Sequence, residues 1–351
     1  MEKKAQKTEQ KSTLAVTRVL QPTLKNIALC ADELVNGGIV AFPTETVYGL
    51  GANAFNSSAV RKIFAAKGRP SDNPLIVHVG SVEQIQEIVT AISPRARKLI
   101  KHFMPGPLTL IFQKKDAVPD CVTGGLNTVA VRMPNDKTAL ELIRGAGIPI
   151  AAPSANRSGF PSPTTAQHVY GDLKGRIPYI LDGGASKIGV ESTVMDIRSA
   201  VPVILRVGAI SLEEIEKQIG MVEIASSSAE KNGKILSPGM KYRHYAPRAE
   251  VLFSAFYDNM HRRINEIYDN AVKNGKNPVI IGLDGRKELY ENRKVYAAGK
   301  DYNGYAQNLY ALLRASDAEG YDTVIAEGVP TNGIGAAIVN RLIKASNGVI
   351  V

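Results

Sequence analysis

Lys67-Gly68-Arg69-Pro70-Ser71-Asp72-Asn73-Pro74-Leu75-Ile76-Val77-His78 joins an amphipathic stretch at 57–66 to an apolar β-branched run at 75–79. Two cations, an amide, a hydroxyl and a histidine fall within twelve residues, beside a glycine and two prolines that fix the backbone. Lys67 and Arg69 stand two apart. On an extended chain both point to one face, where a point charge and a planar fork can hold one polyphosphate. Taken alone, a K-x-R pair is more often a solvated basic loop. Later segments of the chain decide against that.

Outward from this stretch, short apolar runs alternate with amphipathic segments from residue 14 to about residue 221. That alternation predicts an α/β domain, with strands at 38–42, 75–79, 108–113, 128–132, 148–152, 179–182, 192–197 and 203–207. Most of these runs end in Gly, Pro, Ser or Asn, so polar side chains gather along one rim of a sheet, where α/β proteins place ligands. Between 225 and 247 the composition turns to serine and then to Ser237-Pro238-Gly239-Met240-Lys241-Tyr242-Arg243-His244-Tyr245-Ala246-Pro247. Its cations and aromatics predict a functional lid more than a passive tether. Beyond it, strands at 250–256, 278–283, 294–298 and 323–326 interleave with helices at 260–274, 305–318 and 334–346. A second, smaller domain with a largely parallel sheet is expected.

A chain of 351 residues suits two domains. Its 44% hydrophobic and 22% charged residues are ordinary for a globular protein, and no apolar run reaches the ~20 residues of a membrane helix. Residues 1–11 are charged and lack the apolar core of a secretory signal, so a short disordered tail on a cytosolic protein is expected. Cys30 and Cys121 are too few and too isolated for a disulfide framework or a zinc site. No protein-bound transition metal is expected. The formal charge of +10 favours anionic partners such as nucleotides or RNA.

There is no G-x-x-x-x-G-K-[ST] phosphate loop and no G-x-S-x-G elbow. Gly49-Leu50-Gly51-Ala52-Asn53-Ala54 matches G-x-G-x-x-A, but six residues separate it from the preceding strand, which argues against a dinucleotide turn. The polar segments that do follow apolar strands are Pro43-Thr44-Glu45-Thr46-Val47-Tyr48, Arg132 at a strand terminus, Pro153-Ser154-Ala155-Asn156, Glu191-Ser192-Thr193, and Arg206.

Together these runs resemble the YrdC/Sua5 family, in the order Phe42 through Leu50, Lys67 through His78, Pro105-Gly106-Pro107-Leu108-Thr109, Pro153-Ser154-Ala155-Asn156 and Glu191-Ser192-Thr193-Val194. The lid and the domain after it resemble the longer, two-domain Sua5 form. The resemblance implies a tail at 1–13, a YrdC-like catalytic domain with a twisted mixed sheet at 14–222, a linker or lid at 223–248, and a smaller Rossmann-like domain at 249–351. It also implies synthesis of L-threonylcarbamoyl-AMP from L-threonine, bicarbonate and ATP with release of pyrophosphate. A separate tRNA threonylcarbamoyl transferase would then place the group on the adenosine beside the anticodon.

Such a reaction brings anions together, so cations must neutralise them. Lys67, Arg69 and Arg206 are candidates for the triphosphate, and Ser154 and Asn156 add hydroxyl and amide contacts. By resemblance, Lys67, Arg69, Ser154 and Asn156 form the reactive core, with Asn73, Thr128, Ser162 and Tyr245 also on the nucleotide. Arg132 can grip a carboxylate bidentately. Thr46, His78, Ser192 and the backbone at Ala152 are carried over as the remaining threonine contacts. Mg²⁺ is expected to travel with ATP on phosphate oxygens and water. The competing reading is an RNA-binding protein of the translation machinery without catalysis. It would need stacking aromatics, and the chain has 6% aromatic residues and no Trp.

Overall fold

The computed structural model describes residues 16–225, 230–231, 234–235 and 245–351. The expected tail at 1–13 and the lid residues 237–244 lie outside the described residues. The first sheet has eleven strands: β1 (Arg18–Leu20), β2 (Val40–Phe42), β3 (Gly49–Asn53), β4 (Ile76–His78), β5 (Leu108–Gln113), β6 (Thr128–Arg132), β7 (Ile150–Ala152), β8 (Tyr179–Leu181), β9 (Thr193–Asp196), β10 (Val203–Arg206) and β11 (Glu223–Ile224). They lie in the order β1-β8-β2-β3-β7-β4-β6-β5-β9-β10-β11. The sheet is mixed: β4 runs parallel to β6 but antiparallel to β7.

Period-2 alternation gives this sheet two unlike faces. Val77, Val129, Val131, Leu108, Leu110, Phe112 and Met195 enter the main core with the helices Ser57–Lys67 and Pro94–Phe103. Ile76, Ile111, Ala130 and Val194 form a small apolar floor on the opposite face. Gly49 and Gly51, the two glycines of the G-x-G match, lie within β3, and the Phe42 ring occupies the space that a Cβ would need at either one. Close packing explains these glycines without a phosphate.

The four strands β14 (Glu250–Ser254), β15 (Pro278–Gly282), β16 (Val295–Ala297) and β17 (Thr323–Glu327) follow a short hairpin of β12 (Glu230–Lys231) and β13 (Lys234–Ile235). They form an all-parallel sheet in the order β14-β17-β15-β16, as the β-α-β pattern requires. Its helix Tyr302–Ala318 turns Gln307, Tyr310 and Arg314, spaced three and four apart, toward the first domain. Arg314 holds both oxygens of Asp172 at 3.1 and 2.7 Å, and Val47, Val190 and Tyr245 join a core that the helix supplies with Tyr305, Leu309, Tyr310 and Leu313.

The domains meet so closely at Gly189 that a Cβ there would lie 2.4 Å from the backbone of Gln307, and its φ of +80° is itself costly for an L side chain. Gly189→Ala is expected to lower the urea midpoint, with a loss on the order of 1–3 kcal/mol. A midpoint equal to that of the wild type would mean that the helix yields at this contact without cost.

Candidate active site

The helix Ser57–Lys67 begins at Asn56, whose side chain accepts from the N–H groups of Ser58 and Ala59, and it ends at Gly68 with φ +62°. Lys67 is therefore the last helical residue, and the left-handed turn after it breaks the extended geometry expected for the K-x-R pair. Lys67 is buried and donates to Ser154 O and Asn156 O, both at 2.5 Å, and to Asn156 Oδ1 at 3.3 Å. Burial, then the charge of Arg69, holds its ammonium well below the usual lysine range. Arg69 lies half-buried along the cleft and reaches the carbonyls of Asn73 and Pro74.

Ser154 and Asn156 do share a face, and they bond each other: Ser154 Oγ donates to Asn156 Oδ1 at 2.5 Å. The Asn156 amide donates to the carbonyls of Arg157 and Phe160. Asn156 thus ties the loop that presents Ser154.

Parallel pairing of β4 and β6 sets His78 beside Arg132, and both are buried. Arg132 Nη1 donates to Thr46 Oγ1 at 2.8 Å, Nη2 lies 2.6 Å from Glu45 Oε2, and Nε donates to Gly106 O at 3.2 Å. The fork expected to stand open for a carboxylate is braced on three sides, by two hydrogen bonds and one ion pair. Glu45 was not foreseen as its partner; the only signal was a lone carboxylate in the Thr44-Glu45-Thr46 run. No side chain fits at Gly106, where a Cβ would lie 2.3 Å from Phe103 O. Burial, then the charge of Arg132, pushes His78 down to about 3, so its imidazole is neutral at physiological pH.

A bulge in β10 places Arg206 opposite Val194 and re-aims it. Its guanidinium donates to Ser192 O through Nε at 3.1 Å and Nη2 at 3.0 Å, and to Ser192 Oγ at 3.1 Å. Ser192 Oγ lies 2.8 Å from Thr109 Oγ1, which explains the Thr of the Pro-Gly-Pro-Leu-Thr run. Glu191 accepts from Ser162 Oγ at 2.6 Å, from Tyr310 OH at 2.9 and 3.1 Å, and from Arg341 Nε at 2.8 Å. Tyr245 stacks on Tyr310 with ring centroids 5.4 Å apart and has the unusual φ of +67°.

Thr46, Arg69, His78, Arg132, Ala152, Ser154, Asn156, Ser162, Ser192, Arg206 and Tyr245 line one cleft, open on the side of the sheet away from the main core. Lys67, Asn73 and Thr128 are outside its lining. Lys67 is turned onto the Ser154 loop, and Asn73 is buried behind Arg69. Thr128 stands at the far end of β6 from Arg132, but on the same face. Tyr310 and Arg341 come from a domain that sequence reasoning had not connected to the site.

The buried histidines make stability depend on pH in a defined window. Burial, then Arg314, lowers His168 to about 4, alongside His78 at about 3, so the unfolded chain takes up protons below 6.5 that the folded chain refuses. Stability is therefore lost as pH falls from 7 toward 4. Glu191 contributes in a separate window: burial acts to raise its pKa, but the charges of Arg341 and Arg206 and the Ser162 hydrogen bond outweigh it and hold it at about 2. That contribution is complete above 4.5, is lost progressively as pH falls from there, and is gone below about 2. The drop in Tm between pH 7 and pH 5 is expected to be smaller in His78→Gln than in the wild type. An equal drop would mean that the folded chain protonates His78 in that range.

Residues 32–208 match the Sua5–YciO–YrdC family model, described as telomere recombination, and residues 210–347 match the threonylcarbamoyl-AMP synthase C-terminal domain. The threonylcarbamoyl-AMP synthase of Pyrococcus abyssi is 49% identical over 322 residues, covering 91% of this chain and 94% of that protein. The Bacillus subtilis threonylcarbamoyl-AMP synthase is 46% identical over 339 residues, 96% of this chain and 97% of that one. The crystal structure of P. abyssi Sua5 complexed with L-threonine superposes with a TM-score of 0.89 at 46% identity, over 96% of this chain and 98% of that one. The same two-domain arrangement, matched over nearly the full length of both chains, makes this protein a member of the Sua5 family of threonylcarbamoyl-AMP synthases.

Proposed function

We propose that this chain joins L-threonine, bicarbonate and ATP into L-threonylcarbamoyladenylate. The neutral threonine amine attacks bicarbonate carbon, water leaves, and a carbamate forms. A carbamate oxygen then attacks the α-phosphorus of ATP, and pyrophosphate departs with the bonding electron pair. The observation that carries this reading is the single cleft in which the braced Arg132, His78 and Ser192 stand next to Arg69, Arg206 and Ser154. An amino-acid carboxylate needs the first group and a triphosphate needs the second.

Threonine is assigned to Arg132, Thr46, His78, Ser192 and the Ala152 backbone. Thr128, Ala130 and Arg132 alternate onto one face, so four strand steps span roughly 13 Å between Arg132 and Thr128. The apolar floor of Ile76, Ile111, Ala130 and Val194 runs along that path and offers a surface for the base. Arg69 and Arg206 are assigned to the phosphates, with Ser162 and Asn73 beside the nucleotide. Lys67 and Asn156 hold Ser154 in place, and a triphosphate nearby favours the charged form of Lys67.

ATP is taken as its magnesium complex. Among the described residues no group of three or more His, Cys, Asp or Glu side chains could hold a metal, and Glu191 is engaged by Arg341, Tyr310 and Ser162. That donor set fits an ion delivered on phosphate oxygens. In this reading residues 14–222 form the catalytic domain, 249–351 the second domain, and 223–248 a linker that closes over the cleft. Tyr245 at the cleft wall supports the closure, which would shield a hydrolysable mixed anhydride from water. The product passes in the cytoplasm to the tRNA threonylcarbamoyl transferase, and the +10 charge supports weak contact with tRNA. RNA binding without catalysis would leave the buried Arg132–Glu45 pair and His78 without a use.

Purified protein with Mg·ATP and bicarbonate is expected to release pyrophosphate with L-threonine, far less with L-serine or valine, and none without an amino acid. Arg69→Ala is expected to slow release by about 10²–10³-fold, and Lys67→Ala to act in the same direction by loosening the Ser154 loop. Release that is indifferent to threonine, or none while RNA binding persists, would overturn the reading.

A further inference from the structure

We propose that Arg341, assisted by Tyr310, is a positioning residue for the catalytic cleft, acting across the domain boundary through Glu191. The inference rests on the reaction proposed above and deepens it. Arg341 lies on the helix Gly335–Ala345 of the second domain, and its side chain is 0% exposed. Its Nε donates to Glu191 Oε2 at 2.8 Å, and its Nη1 donates to Val207 O at 2.9 Å. One side chain thus grips both open ends of the β9–β10 hairpin, at Glu191 just before β9 and at Val207 just after β10. Beside them Gly208, the residue after Val207, sits so close that a Cβ would lie 2.3 Å from the Ser192 carbonyl carbon. The segment has little room to shift independently of Arg341.

Ser192 and Arg206, the residues on either side of the clamp, bond each other three times and both line the cleft. The other oxygen of Glu191 fixes Ser162, which also lines it. Tyr310 donates to the same carboxylate, and the Arg341 guanidinium lies 5.5 Å from the centroid of the Tyr245 ring. Arg341, Arg206, Tyr310, Tyr245, Lys344 and Ser162 are the groups that face Glu191. Without Arg341, the buried carboxylate is left to Arg206, whose charge already acts on it, and that pull competes with the three bonds that hold Arg206 on Ser192.

The test compares full-length wild type, Arg341→Met, Arg341→Lys, Tyr310→Phe, Glu191→Gln and the Arg341→Met/Glu191→Gln double variant. Each is assayed for threonine-dependent pyrophosphate release well below its own Tm, with KM for ATP and for threonine measured separately from kcat. Arg341→Met is expected to raise both KM values by at least about tenfold, the loss that follows when a hydrogen bond to a charged group is removed. Arg341→Lys should recover part of this, and Tyr310→Phe should give a smaller change of the same kind. Because the action runs through Glu191, the double variant should be no worse than Arg341→Met alone. Effects that multiply in the double variant, or KM values within twofold of wild type while only Tm falls, would overturn the inference. A wild-type chain without threonine-dependent release would instead sink the proposed reaction, and this inference would fall with it.

Discussion

Glu191 is a carboxylate buried where two domains meet, and the arrangement of the site depends on how its charge is met. An ionised carboxylate away from water costs several kcal/mol unless it is paired and fully hydrogen-bonded. Here the pairing comes from Arg341 of the second domain, and the remaining acceptor positions are taken by Tyr310 and Ser162. Removing one partner of such a pair costs about 3–5 kcal/mol, because the other charge is stranded. The ion pair therefore acts less as a source of stability than as a condition on geometry: the domains must dock in this register for the carboxylate to be tolerated.

The same logic governs the rest of the cleft. Its charged groups are held by protein contacts before any substrate arrives: Arg132 by Glu45, Thr46 and Gly106, Arg206 by Ser192, and Lys67 by the Ser154–Asn156 loop. Fixed charges and dipoles in a dry site need no reorganisation when charge develops on a reacting group, which is how electrostatic stabilisation acts most strongly. Hydrogen-bonded networks in low dielectric are also unforgiving, since each member satisfies the others. Glycines at 106, 189 and 208 permit the close backbone approaches that tie this network together.

Much of the fold was legible because it is written in local periodicity. The apolar runs at 108–113 and 128–132 coincide with β5 and β6, and the β-α-β order of the second domain gave its parallel sheet. Arg132 at a strand terminus and the Ser154/Asn156 pair were readable for the same reason, as side chains two apart share a face. For Lys67 and Arg69 the backbone between them is not the extended one that this rule needs. Gly68 takes the left-handed conformation that ends a helix, and a glycine between two cations does not announce which side of a helix boundary it occupies.

Composition, strand and helix periods, and the ordered polar runs were enough to determine a two-domain α/β chain and to point to its polar segments as the place for an anion-directed site. Those signals act over a few residues, where steric and hydrogen-bonding preferences suffice. Only the tertiary structure decided which charges pair. Thr46 and Arg132 meet across 86 residues, and Glu191 and Arg341 across 150. Nothing local marks either partner, because the free energy that selects them is the cost of leaving a charge unpaired after the core has closed around it.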